Sequence, residues 1–104
     1  MLAYKTFKPY FGDLHNHCEV GYGHGTLENS FQNAKLQLDF VAVTVHAHWH
    51  DIPAADERLK DLVDYHLQGF QKAADGWQNL REMVKENYVP GEFVTFVAFE
   101  WLLG

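Results

Sequence analysis

Three apolar runs in this sequence each end on a side chain that can ligate metal: Phe11-Gly-Asp-Leu-His15-Asn-His17, Phe40-Val-Ala-Val-Thr-Val-His46 and Phe93-Val-Thr-Phe-Val-Ala-Phe-Glu100. His15 and His17 are two apart, so on an extended strand both imidazoles project to one side and can share a cation. Imidazole suits zinc, iron and manganese, and a carboxylate such as Glu100 can bridge two cations and hold them at catalytic separation. If the three run ends meet, the chemistry is that of a polynuclear divalent-metal centre.

A parallel sheet brings them together, because the carboxyl ends of neighbouring strands face one crevice. The pattern predicts the order β, α, β, α, β, with strands over about 10–17, 40–46 and 93–100 and helices over about 26–38 and 54–87. Thr26 is a helix N-cap with Glu28 in the first turn, and Leu27, Phe31, Ala34 and Leu38 follow at helical spacing. Phe40 to His46 is a nearly continuous apolar run of the kind buried in a parallel sheet. A second stripe through Leu59, Leu62, Val63, Phe70, Trp77, Leu80 and Val84 forms the long helix, with a break or bend expected at Gly69 and Gly76.

Strand alternation assigns the faces. Phe11, Asp13, Phe40, Ala42, Thr44, Val94, Phe96 and Ala98 share the face of the four ligands, and right-handed crossovers place both helices against Leu14, Val41, Val43, Val97 and Phe99. One face is thereby left uncovered and mostly apolar. Such a sheet is expected to be part of a larger barrel or to complete itself by association.

Further candidates surround the four ligands. His24, in the glycine loop Gly21-Tyr-Gly-His-Gly25, is a candidate ligand for a second cation, and Asp13 a candidate to orient a ligand imidazole through a hydrogen bond. His48 and His50 follow His46 at alternate positions and are read, with Trp101, as rim residues. His66, among Asp61, Asp64 and Gln68, reads as an exposed helix histidine. Trp49, Trp77 and Trp101 read as core or rim aromatics.

With 104 residues, 47% of them hydrophobic, the chain has material for one domain. A formal charge of −6 and the lack of a basic run argue against direct nucleic-acid binding, and cations would have to attract an anionic substrate. No run approaches the roughly 20 apolar residues of a membrane span, and the N-terminus lacks the apolar run of a secretory signal, so a cytoplasmic location is expected. The single Cys18 cannot form an intramolecular disulfide.

Taken in order, Gly12-Asp-Leu-His15-Asn-His17, Leu38-Asp-Phe-Val-Ala-Val-Thr-Val-His46 and Pro90-Gly-Glu-Phe-Val-Thr-Phe-Val-Ala-Phe-Glu100-Trp101 resemble the polymerase and histidinol phosphatase (PHP) superfamily, in particular its uncharacterised branch with Gly-Asp-Leu-His-x-His and Glu-Trp motifs. The resemblance implies a distorted barrel of seven strand–helix units, up to three zinc, iron or manganese ions, and hydrolysis of phosphate esters by a metal-bound hydroxide. It assigns metal ligation to His15, His17, His24, His46 and Glu100, and a phosphorylated small molecule as substrate. Where the family usually has Thr-Asp before the second-motif histidine, this chain has Thr44-Val45. The family's later histidines and its Asp-x-His pair would fall beyond Gly104. The expectation is therefore one partial domain over residues 1–104, the N-terminal β-α-β-α-β part of the barrel, completed by self-association or by another chain. Two alternatives stand beside it: a non-catalytic metal-binding or assembly module on the same fold, and an amidohydrolase-like hydrolase, since that family also places His-x-His on a first barrel strand.

Overall fold

A computed structural model describes residues 6–102, and the readings that fall on residues 1–5 and 103–104 lie outside the described residues. Three parallel strands, β1 (Gly12–Asp13), β2 (Phe40–Trp49) and β3 (Val94–Leu102), form one sheet in chain order, joined by α1 (Leu27–Gln37) and α2 (Lys60–Asn87). This is the expected α/β arrangement. No described helix is long and apolar enough to cross a membrane.

The helix start at Thr26 follows from its hydroxyl, which accepts the Asn29 N–H at 3.1 Å and satisfies one of the free donors of the first turn. The helix buries Leu27, Phe31 and Ala34. These pack with Val41, Val43 and Val45 of β2 and with Ala73, Leu80 and Val84 of α2 into one core. Both helices thus lie on the face of the odd-numbered β2 residues, as alternation predicts.

The long helix differs from expectation in two respects. It begins at Lys60 rather than near residue 54, because Asp56 Oδ1 takes the backbone N–H groups of Arg58 and Leu59 and holds the preceding segment in a turn. It then runs without a break through Gly69 and Gly76. Both glycines serve packing: a Cβ on Gly69 would lie 1.8 Å from Tyr22 Cε1, and one on Gly76 would lie 2.7 Å from Val20 Cγ1. The loop after β1 therefore presses two side chains into notches two helical turns apart. At the other end Thr95 Oγ1 donates to the Val84 carbonyl, joining the last turns of α2 to β3.

Asp39 ties the strand starts together. Its carboxylate accepts the Phe11 N–H at 2.8 Å, its own N–H donates to the Phe11 carbonyl, and its carbonyl accepts the Val94 N–H. β1 is much shorter than predicted because side chains replace the ladder beyond Asp13. Asn16 Nδ2 donates to the Ala42 carbonyl at 2.7 Å and Thr44 Oγ1 accepts the Asn16 N–H at 3.1 Å, while the Thr44 N–H still reaches the Asn16 carbonyl. The segment stays beside β2 without continuing as a strand.

Coverage by the helices is incomplete. Val97 and Phe99, expected against helices, are each 50% exposed because only α2 reaches β3. Leu14, expected on the same side, is exposed because the chain bends after Asp13. On the opposite face Ala42 and Thr44 are buried between their neighbours, but Phe11 and Phe96 face solvent.

Candidate metal centre

The register of β2 and β3 sets His46 directly opposite Glu100, and the segment following β1 brings His15 and His17 to the same place. Three imidazole nitrogens approach one carboxylate oxygen: Glu100 Oε2 lies 3.0 Å from His15 Nε2, 3.6 Å from His17 Nε2 and 3.3 Å from His46 Nε2. Ligand atoms of His15, His17 and Glu100 lie mutually within 4.8 Å, and His46 Nε2 approaches the same Glu100 oxygen from outside that mutual group.

These separations suit a cation. Two donors each about 2.0–2.2 Å from an ion at a tetrahedral angle stand about 3.4 Å apart, and the three N···O distances bracket that figure. Imidazole and carboxylate are also the donor chemistry of zinc, iron and manganese sites. The residues present therefore fit a divalent metal. Cluster access is graded, with the His15 side chain 71% exposed and that of His46 only 14%.

Burial pushes the His46 pKa below the ordinary imidazole value, against the opposing pull of the Glu100 carboxylate. A neutral imidazole is the form that ligates metal. The Nδ1 of His46 is buried and has no hydrogen-bond partner among the described residues. Tyr22 stacks on this ring, with centroids 4.3 Å apart, and its phenol is pushed up to about 12, chiefly by burial.

Asp13 acts on the backbone of a candidate ligand rather than on its ring: Oδ1 accepts the His15 N–H at 2.9 Å. His24 is exposed on the glycine loop and lies outside the group that converges on Glu100. A β-bulge between His46 and His48 ends the simple alternation, so His48 pairs with Trp101. The two rings meet at 4.8 Å, and Trp101 Nε1 donates to His50 Nδ1 at 3.4 Å. His48, His50 and Trp101 thus form an aromatic rim and not a continuation of the ligand row.

His66 departs from its expectation as an exposed histidine. Half-buried, it packs edge-on against Trp49 and Tyr22, and its Nδ1 lies 2.8 Å from the Leu62 carbonyl. Val45, where the PHP pattern has Asp, is buried in the helix-side core and faces away from the cluster. Cys18 is fully buried and its thiol is pushed up by that burial, which makes it a packing residue.

Sequence reasoning missed Asn16 and Tyr22. The signal for Asn16 was its place between the paired histidines, opposite a Thr that can bond it. Tyr22 was a lone aromatic between two glycines, where a side chain that large has to find a socket.

Open space borders the ligands. A cleft of about 210 Å³ is lined by Leu14, His15, Thr44, Phe99 and Glu100. A larger one of about 520 Å³ runs from His17 along β1 to Asn33 and Gln37 of α1.

Comparison of the chain with protein-family models, with curated proteins and with solved structures gave no match. The PHP resemblance therefore stands on the motifs alone.

Proposed function

We propose that this chain carries the N-terminal metal-binding part of a PHP-type phosphoesterase, with His15, His17, His46 and Glu100 holding a divalent cation. The observation that carries the reading is the approach of three imidazoles, two from the segment after β1 and one from β2, to a single carboxylate oxygen of β3. A cation held there supplies an acidified water and positive charge for phosphoryl oxygens. A second cation, if bound, would draw on Glu100 as a shared carboxylate and on His24 as the candidate loop ligand.

The size of the neighbouring cleft accords with a small group. The cleft beside His15 and Glu100, about 210 Å³, is below the roughly 300–1,000 Å³ of drug-sized ligand sites. It has room for a group the size of phosphoryl, whose charge the cation rather than the lining would have to meet. The chain's formal charge of −6 leaves the attraction of an anion to the bound metal.

A non-catalytic assembly role has its own support. Phe11, Phe96, Val97, Phe99 and Trp101 are all substantially exposed on or beside the sheet, and among the described residues β3 has a neighbour on one side only. An uncovered strand edge and apolar side chains favour completion of the sheet by another chain or a second copy.

The deciding experiment is elemental mass spectrometry on protein dialysed free of loose metal, followed by assays on phosphate esters, amides and lactones. Two to three equivalents of metal with phosphatase turnover support the enzyme. Metal with self-association and no turnover on any substrate supports the assembly module. Absence of bound metal in the assembled protein overturns both.

A further inference from the structure

His46 lacks the usual means of orientation for a ligand histidine. A metal-bound imidazole ordinarily donates its other ring N–H to a carboxylate, carbonyl or water, which fixes the ring plane. Here Nδ1 of His46 is buried and no protein group among the described residues accepts from it. Two rings pack against this imidazole: Tyr22, 4.3 Å away with planes 35° apart, and the candidate ligand His17, at 4.7 Å and 40°; of the two, only Tyr22 is outside the candidate ligand set.

Tyr22 is itself held on the far side by α2. Tyr65, His66 and Phe70 border its ring at 5.2, 5.3 and 6.4 Å. Between them the helix has Gly69, where a Cβ would lie 1.8 Å from Tyr22 Cε1 and 2.3 Å from Cδ1. The glycine is thus a notch that admits the ring. The Tyr22 hydroxyl is buried without a partner, so no hydrogen bond made by it accounts for the position.

We propose that Tyr22 is a positioning residue of the metal centre: its ring, seated in the Gly69 notch, holds the His46 imidazole so that Nε2 faces the ion. This rests on the metal-binding reading above. It assigns a role to a glycine on a helix that supplies no ligand.

A matched pair of glycine substitutions tests it. Gly69→Ala and Gly76→Ala bring the same gain in helix propensity, but only the first fills the notch under Tyr22, while the second meets Val20. The 104-residue chain and both variants, with Tyr22→Phe, are titrated with Co²⁺ and followed by visible absorption, with far-UV circular dichroism reporting the fold. Gly69→Ala is expected to bind Co²⁺ at least tenfold more weakly and with an altered band shape. Gly76→Ala and Tyr22→Phe are expected to stay within about twofold of wild type with the band unchanged, since Phe keeps the ring and loses only an unpartnered hydroxyl.

Wild-type behaviour of Gly69→Ala overturns the inference, as does a Tyr22→Phe defect equal to that of Gly69→Ala. If Gly69→Ala loses its helical signal, Tyr22→Leu takes its place with the same expectation. Loss of helix in that variant also overturns the inference, because the ring is then required by the fold rather than by the ion. A wild-type chain that takes up no Co²⁺ overturns the metal reading itself, whereas Co²⁺ uptake indifferent to every variant overturns only the role of Tyr22.

Discussion

His46 and Glu100 are cross-strand partners in the parallel register of β2 and β3, with Nε2 and Oε2 3.3 Å apart. The bulge that follows leaves this pair as the last on the ladder before the register shifts. Two groups from strands that start 54 residues apart, Phe40 and Val94, are therefore fixed by backbone pairing and need no loop to place them. Rigid elements give such sites their precision.

Glu100→Gln removes the charge that all three imidazoles face. The amide keeps the size of the side chain and binds cations poorly. Metal affinity is expected to fall by more than tenfold, about 1.4 kcal/mol or more, with stoichiometry by elemental mass spectrometry dropping below that of wild type. Equal metal content in the two proteins would exclude Glu100 as a ligand.

Acid should destabilise the metal-free protein through His46. Its folded-state pKa lies below the ordinary value of 6.5, so between the two the unfolded chain binds more protons. Stability from this group is full above about 6.5 and is lost as pH falls from there to the folded pKa, below which the loss is constant. His46→Gln in the presence of chelator should therefore show a smaller fall in thermal midpoint between pH 8 and pH 5 than wild type. An identical fall assigns the acid sensitivity to other groups.

Asn16→Ala removes the amide that serves the Ala42 carbonyl. Leaving a buried acceptor unserved costs about 1–3 kcal/mol, to be read from urea unfolding. Because Asn16 lies between His15 and His17, metal affinity should fall with stability, and a variant that loses stability but keeps full affinity would separate the two.

Leu80→Ala is expected to cost about 2–5 kcal/mol, since the side chain is fully buried beneath the sheet and its removal leaves a cavity. Leu36→Ala, at a side chain 82% exposed, should change stability by no more than about 0.5 kcal/mol. Comparable unfolding curves for the two variants would mean that α2 does not pack on the sheet as described.

The meeting of His46 with Glu100 could be read from sequence because β2 and β3 are apolar runs that each lead to one of the two candidate ligands, and period-two alternation fixes which side chains share a face. The rest depended on side chains standing in for backbone. Asn16 and Thr44 replace ladder bonds after Asp13, so a segment that alternates like a strand is not one. Gly69 and Gly76 looked like helix breakers by propensity, yet each was a vacancy for a loop side chain, which only the tertiary partner discloses. The bulge after His46 has no sequence marker in Ala47, and without it the row of histidines at 46, 48 and 50 reads as one ladder.

The order of the strands in space, β1-β2-β3, is also their order in the chain. During synthesis from the N-terminus, each strand emerges after the neighbour it must join, so the sheet can grow by accretion without threading a later strand between earlier ones. The three histidines are in place once β2 has paired, and the carboxylate arrives only with β3. The cluster thus gains its negative charge last, and a cation bound as proposed would be held fully only after the final strand docks.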